Sequence, residues 1–536
     1  MVTLNEGAPA ESRTGQTGFM MADAAKRTAL GGTSPDRKFI CLILAALLIG
    51  AGLRFARFGH NPSLEIDELW VAAAVTAKQP KAVPTPAGFL WLTRLTVKAF
   101  GLGDHVLRLV PLISGLAALA LFLPLSRRCC TPLGAFLAML LLAISHWPVY
   151  YSVYLKQYSS DVAVSCLLWM IMLGTGGYTW PKLRYFLAAS AGMIAVWFSH
   201  PAVFVLAGAG ALLIGRSIFR GERKQAMAWA VIGCLWLASW GLCYHITARS
   251  VSGESYLLSF WSSAFPPLSG VTRENFHWYL HKPIELMQHP AGFVFLPGLA
   301  LFAFLAGMVS MRRSGRTWEA AVLLAPLACA FLAAAIHKYP FEGRLLLFAC
   351  PAVFIMIAEG SVLIWQTMRS QATAVVGAAF VLLLLGYPAL DALREADIPV
   401  QEDMRSLVQR VHTARKTTDA IYVYYGALPA WEYYNGGILN EWLSPPEQNA
   451  AQDYVRGGRH RESFVKYLQE IEQFRGKDRV WFIFSHVWPL TGNDEKQLIT
   501  EYLDSVGRKI QSLEEKGASA YLYDLSSGTP GNPVKE

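Results

Sequence analysis

The sequence predicts a polytopic α-helical membrane protein that ends in a small α/β domain. Three observations carry this. Hydrophobic residue types make up 54% of the 536 residues and charged types only 16%, a balance that a soluble domain rarely tolerates. Apolar runs long enough to cross a bilayer recur up to residue 390. Beyond that point strand-like and helix-like segments alternate instead.

Residues 1–38 are polar or small, with little periodicity, which is the composition of a disordered leader. They are too long and too polar for a simple signal peptide, and no small-residue cleavage site follows the first apolar run. The first helix is therefore expected to be retained. About eleven spans follow, each needing roughly 17–25 apolar residues. They lie near 39–57, 107–126, 132–149, 161–178, 184–199, 201–216, 226–246, 291–310, 318–336, 344–365 and 372–389.

Basic residues alternate along this series. Lys26, Arg27, Arg37 and Lys38 precede the first span, Arg127 and Arg128 follow the second, and Lys182 and Arg184 follow the fourth. Arg216, Arg220, Arg223 and Lys224 follow the sixth, Arg312, Arg313 and Arg316 the eighth, and Arg369 the tenth. The positive-inside rule assigns all of these to the cytoplasm. The remaining gaps, and everything after the eleventh span, then face outward. The expected domains are a cytoplasmic leader 1–38, a membrane domain 39–390 and an extracytoplasmic α/β domain 391–536. The net charge of +9 falls largely in short gaps between apolar runs, so nucleic acid is not the expected partner. The eight cysteines all lie in or beside apolar runs, which points to neither a disulfide framework nor a zinc cluster.

In the tail, DAIYVYYGA (419–427), RVWFIFSH (479–486) and ASAYLYDL (518–525) read as strands by their aromatic and β-branched content. Helical patterns occupy 402–415, 461–474 and 494–510. The loops after the first two strands hold Trp431, Glu432, Tyr433 and Tyr434, then His486 and Trp488. Trp431, Tyr433 and Trp488 are candidate acceptor-binding rings, since sugars stack on such surfaces and crevices form at strand ends. The alternative is that these rings pack in the domain's own core.

Three outward stretches carry candidate chemistry. SLEIDELW (63–70) sets Glu65, Asp67 and Glu68 just after the first span. Ser63 can cap a helix there, and acids in a first turn complement the helix dipole. Asp67 and Glu68 are adjacent, so on a helix they point about 100° apart and cannot form a facing pair. One of them can still serve as a general base. HWPVYYSVYLKQYSSD (146–161) places Lys156 and Asp161 among tyrosines; an aromatic belt with a snorkelling lysine is the alternative. HKYPFEGRLLLFACP (337–351) puts Arg344 at the outer end of a span, against the inside bias. An anionic headgroup, or a salt bridge to Glu342 or Asp67, would account for it.

The stretch from SLEIDELW through PTPAGFLWLTRLTVKAFGLGDHVLRLVPLISGLAALAL resembles the superfamily of protein O-mannosyltransferases and aminoarabinose transferases (glycosyltransferase family 39-like). These are membrane glycosyltransferases of the GT-C fold. The likeness rests on an Asp-Glu pair opening the first outward loop, then Phe100-Gly101, then Arg108-Leu109-Val110-Pro111. It covers residues from about 50 to 180 well and 337–351 more loosely. It implies that Asp67 is the catalytic aspartate and Glu68 its supporting partner. The family's second box corresponds to Tyr151-Ser152-Val153-Tyr154-Leu155-Lys156-Gln157-Tyr158. Lys156 takes the basic position and Tyr158 matches; Tyr154 replaces the glutamate, leaving Asp161 as an acid to stand in for it. Arg344 matches an arginine that faces the donor phosphate, so Lys156, Arg344 and Tyr158 are the expected phosphate-binding set.

The implied activity is sugar transfer from a polyprenyl-phosphate donor to a lipid, glycan or protein acceptor on the outer face, with inversion. The implied setting is a bacterial inner membrane with the tail domain periplasmic. The residues fit this chemistry. No Asp-x-Asp handle for a metal-nucleotide occurs, and no cofactor or metal is expected, because no ligand cluster lies in the outward loops. A phosphate leaving group needs cations more than a proton, and the acceptor hydroxyl needs one base. A transporter or flippase of a lipid-linked glycan would show ionisable groups near the midplane, where the spans are almost free of them. A non-catalytic scaffold would need no outward acid beside outward cations.

Overall fold

The computed structural model describes residues 37–76, 83–174, 181–248, 259–268, 270, 272–369, 373–394, 401–436, 453–460, 463–487, 489–490 and 493–526. The leader and Trp488 lie outside these residues. The described chain starts with α1 (Arg37–His60), followed by a first-loop segment holding α2 (Ile66–Thr76) and α3 (Ala87–Phe100). Next come α4 (Leu109–Cys129), α5 (Pro132–Ile144), α6 (Tyr158–Leu173), α7 (Pro181–Phe198), α8 (Ala202–Phe219) and α9 (Arg223–Cys243). The membrane part closes with α10 (Arg273–Gln288), α11 (Pro297–Arg313), α12 (Thr317–Ala335), α13 (Cys350–Met368) and α14 (Ala374–Arg394). Each of the eleven apolar runs thus contains a helix among the described residues. Seven helices among the described residues are long and apolar enough to cross a membrane alone, or eight if one bent pair counts as a span. The chain is a polytopic membrane protein.

The bent pair is α5 and residues 146–153, which meet at 56°. Thr131 caps α5 by accepting from the Gly134 amide, with Pro132 in the first turn. At the other end the break strands the last carbonyls of the helix. Arg54, fully buried in α1, supplies the donors: its guanidinium reaches the carbonyls of Leu142 (3.1 Å) and Ala143 (3.3 Å), beside that of Gly50 in its own helix (2.8 Å). An arginine inside the first helix is therefore a cap for a different one. It frees residues 146–157 to run as an aromatic-rich segment packed against Glu65 and Glu68 of the acid loop.

The most intimate helix contact joins α11 and α13. A Cβ at Gly307 would lie 1.8 Å from the Met356 carbonyl oxygen, and one at Gly360 would lie 1.8 Å from that of Ala303. Only glycine permits the two backbones to approach so closely. The segment Gly343–Met368 is consequently the best-buried helix of the bundle, and Arg344 sits at its first turn.

The tail domain is a five-stranded sheet, order β2-β1-β3-β7-β6, from β1 (Ala420–Val423), β2 (Val455–Arg456), β3 (Val480–Ser485), β6 (Arg508–Glu515) and β7 (Ala518–Asp524); β4 (Pro489–Leu490) and β5 (Asn493–Asp494) pair separately. β1 runs parallel to β2 and β3, and β7 is antiparallel to β3 and β6. Its helices are α15 (Met404–Ala414), α16 (Leu428–Gly436), α17 (Phe464–Glu472) and α18 (Glu495–Val506). Strand alternation divides the domain into two cores. Tyr422, Phe482 and Phe484 face α17 and α18. Ile421, Val423, Trp481 and Ile483 face α15 and continue into Leu64, Leu69, Val71, Phe89 and Leu107 of the first-loop segment. The second core is shared, so the sheet domain and the acid-bearing loop are one packed body.

Candidate active site

The acid loop is fixed before its chemistry begins. Glu68, fully buried, accepts from Arg108 Nε (2.9 Å) and Nη2 (2.6 Å), from the Leu155 amide (2.8 Å) and from the Glu65 amide (3.1 Å). The last contact is a capping-box bond that starts α2. Arg108 uses its remaining donors on the carbonyls of Pro62 and Ser63. Glu68 thus ties together the acid loop, the start of α4 and the Lys156 segment. It supports the site by holding three pieces of chain, which is the part of the Asp-Glu pair that the Arg-Leu-Val-Pro stretch serves. Ser63 does not cap α2; its hydroxyl donates to Asp403 of the tail domain at 2.7 Å.

Asp67, one residue earlier on α2, points elsewhere. Its carboxylate pairs with Arg344 Nη1 at 2.9 Å, and both side chains remain about a third exposed. Of the two partners open to Arg344, the structure selects Asp67; Glu342 pairs instead with Lys282 at 3.0 Å. The Arg344 guanidinium also lies over the rings of Tyr158 (5.9 Å) and Trp261 (6.0 Å). Lys156 is 7% exposed. Among the described residues no hydrogen bond or ion pair engages its ammonium group, although its charge acts on both Asp67 and Arg344. Burial lowers the Lys156 pKa, and Asp67 opposes that shift. Burial would raise the Asp67 carboxyl, but Lys156, Arg344 and, further, His486 hold it below the usual carboxylate value.

Glu65 is the residue that sequence reasoning undervalued. Read as helix-start electrostatics, it in fact precedes the helix and accepts hydrogen bonds from the hydroxyls of Tyr150 (2.9 Å) and Tyr154 (3.1 Å). Burial, then the neighbouring Glu68, push its pKa up to about 7 against those two donors. The acid that the second box lacks at Tyr154 is therefore delivered onto Tyr154 from the first loop. Asp161 is buried on α6 beside Ser199, one turn after Tyr158, on which its charge acts.

The acceptor candidates separate from this cluster. Trp431 is fully buried, stacked near His412 (6.2 Å) in the shared core. Tyr433 is 7% exposed and donates to Asp104 at 2.8 Å, with Tyr434 on the other oxygen at 2.9 Å. Arg405 closes the same carboxylate. These rings dock the tail domain on the first-loop segment and present no open stacking face. Among the described residues no group of three or more His, Cys, Asp or Glu could hold a metal ion.

As a whole the chain is similar to the crystal structure of ArnT from Cupriavidus metallidurans bound to undecaprenyl phosphate. The TM-score is 0.53 at 12% identity, over 92% of this chain and 100% of that one. The apo state of ArnT gives 0.51 at 13%, over 93% and 100%. The chain has the GT-C fold. AglB from Archaeoglobus fulgidus, in complex with an inhibitory peptide and a dolichol-phosphate, gives 0.50 at 11% identity, over 91% of this chain and 74% of that one. No protein-family model matches, and no curated protein matches. Asp67 pairs with Arg344, which lies over the Tyr158 ring, and Lys156 acts on both charges, whereas Trp431 and Tyr433 pack between the tail domain and the first-loop segment.

Proposed function

We propose that this chain is a glycosyltransferase that moves a hexosyl or pentosyl group from a polyprenyl-phosphate donor to a hydroxyl acceptor. The reaction takes place on the outer face of a bacterial inner membrane, with the tail domain on that side, and proceeds with inversion. One observation carries the reading: a nearly buried lysine without an ion pair among the described residues, set beside an arginine that is only half committed to an aspartate. Two cations against one carboxylate leave a positive excess in a partly dry cleft, where a phosphate is attracted strongly. The likeness to ArnT bound to undecaprenyl phosphate supports the same class of ligand.

In this reading Lys156 and Arg344 hold the phosphate, Arg344 as a fork and Lys156 as a point charge. Tyr158 backs the guanidinium with its ring face. The acceptor oxygen attacks the anomeric carbon as the carbon–oxygen bond to phosphate breaks, and the phosphate keeps the electron pair. Asp67 takes the hydroxyl proton. An aspartate paired with two cations is a weak base, but the arriving phosphate shares those cations. Its arrival raises the basicity of Asp67 when the acceptor must be deprotonated. Glu68 acts through position alone.

The test is direct binding of undecaprenyl phosphate to the purified chain, with undecaprenol as the control lacking phosphate. Arg344→Ala and Lys156→Ala should each weaken binding by about tenfold or more, or ~1.4 kcal/mol. The double variant should lose less than the product, because both groups act on one anion. Unchanged binding in the double variant would overturn the reading.

A further inference from the structure

Arg344 has a competitor for its charge inside its own segment. Glu342 lies two residues before it, and two residues span at most about 7 Å of backbone, so this carboxylate is within reach of the guanidinium. The pairing does not form, because Glu342 turns to α10 instead. That helix starts where the Thr272 hydroxyl accepts from the Asn275 amide. It carries Trp278, Lys282 and Glu285 on one face, at spacings of four and three residues. Lys282 is buried; its ammonium donates to Glu342 Oε2 at 3.0 Å and pairs with Glu285 Oε2 at 2.8 Å. The same ammonium lies 5.4 Å from the centre of the Trp278 ring, and the Trp278 indole donates to the Ser263 carbonyl at 2.8 Å. The Ser263 hydroxyl adds a longer contact, 3.4 Å, to the same Glu342 oxygen. Beside it the Ala264 carbonyl accepts from the Phe341 amide at 3.2 Å. The residue before Arg344's helical turn is therefore held from its acid side chain and from its neighbouring backbone.

We propose that Lys282 is a positioning residue for the donor site: it draws Glu342 away from Arg344 and so keeps the guanidinium open to a phosphate. The inference rests on the glycosyltransferase reading. Glu285 alone is enough to answer the Lys282 charge, so Glu342 is the surplus acid in the trio. A carboxylate joined to Arg344 through two residues of chain has a high effective concentration at the guanidinium. Left unpartnered, it would compete with the incoming phosphate at that fork, alongside Asp67, which is already there. Pairing it with a buried lysine on another helix removes that competitor, which is selection by taking the wrong partner away. Lys282 touches neither donor nor acceptor and acts through Glu342.

The experiment measures binding of undecaprenyl phosphate to the purified full chain, with undecaprenol as the control, and thermal unfolding alongside. Lys282→Met keeps the bulk of the side chain and removes its charge. It should weaken binding about fivefold or more, the scale of one partly exposed ion pair formed in the wrong place. Lys282→Arg should stay within about twofold of wild type, and so should Glu342→Gln alone. Adding Glu342→Gln to Lys282→Met should restore binding to within about twofold of wild type. Adding Glu285→Gln to Lys282→Met removes the same charge from α10 and should restore nothing. Equal rescue by the two glutamines would overturn the proposal, since net charge, not capture of Arg344, would be the cause. A loss that neither glutamine rescues, with a lower unfolding temperature, would overturn it by making Lys282 structural. Unchanged binding in Lys282→Met would also overturn it. A wild-type chain that does not prefer undecaprenyl phosphate to undecaprenol would defeat the functional reading, and the role of Lys282 with it.

Discussion

The two ends of the segment Gly343–Met368 carry the same chemical pair in opposite conditions. At its start Arg344 meets Asp67, each about a third exposed, with Lys156 beside them. Some fifteen residues on, roughly 20 Å along a helix, Glu359 meets Arg316. Glu359 is fully buried and also accepts from the Thr131 amide (2.6 Å), the Thr131 hydroxyl (2.9 Å) and Ser310 (3.4 Å). Arg316 spends its second arm on the Cys129 carbonyl. Glu359 thus pins the start of α5 and the α11–α12 turn to α13. A buried carboxylate with every lone pair answered acts as a staple. One that is a third exposed and leaves a lysine over is, in the proposed reading, a place for a ligand. Residue type does not distinguish the two; the count of unanswered charges does.

The sharpest way to break this contrast is one substitution at each pair. Asp67→Asn should lower sugar transfer about a thousandfold, the scale seen when a single transition-state group is removed, while thermal stability stays nearly constant. Glu359→Ala should do the reverse. It strands a guanidinium and an amide in the protein interior, which costs about 3–5 kcal/mol, and the purified protein should unfold at a clearly lower temperature. A comparable loss of stability at both positions would erase the distinction.

A smaller effect sharpens it at the outer end alone. In the folded chain burial, then Glu68, pushes the Glu65 carboxyl up from the usual carboxylate range to about 7. The folded state therefore binds this proton more tightly, and stability falls as pH rises through that window, then levels off. Glu65→Gln keeps the shape and removes the charge. It should raise the unfolding temperature at pH 8 and change it little at pH 4. The same gain at both pH values would show that burial of the charge is not the cause.

Much of this architecture can be read in the chain, and the failures have physical reasons. The eleven apolar runs, three central strands and the Asp67–Arg344 pairing are legible because burial and charge leave a periodic or positional mark. β6 was hidden: a helix was expected through 510, yet α18 stops at Val506 and 508–515 is a strand. Only Leu513 in it is buried, so an edge strand exposed on most positions carries no hydrophobic alternation. Glu65 was misread because its partners, Tyr150 and Tyr154, lie some 85 residues on. Trp431 and Tyr433 are aromatic at a strand end, as a sugar site would be, but Asp104 gives their helix a docking partner that no local pattern announces.

The shared core between the acid loop and the tail domain sets an order of events during synthesis. Ser63 and its partner Asp403 are 340 residues apart. At ordinary elongation rates the ribosome needs roughly 17 to 70 seconds to make that interval. Throughout it Leu64, Leu69 and Val71 have no sheet to cover them, and Arg405 has not yet arrived to hold the carbonyls of Asn61 and Pro62. Chains stopped at residue 400 should be cut by protease between 61 and 65, and full-length chains should resist. The loop that bears the aspartate is the first part of the site to leave the ribosome, and its contacts with the tail domain are the last of its anchors to form.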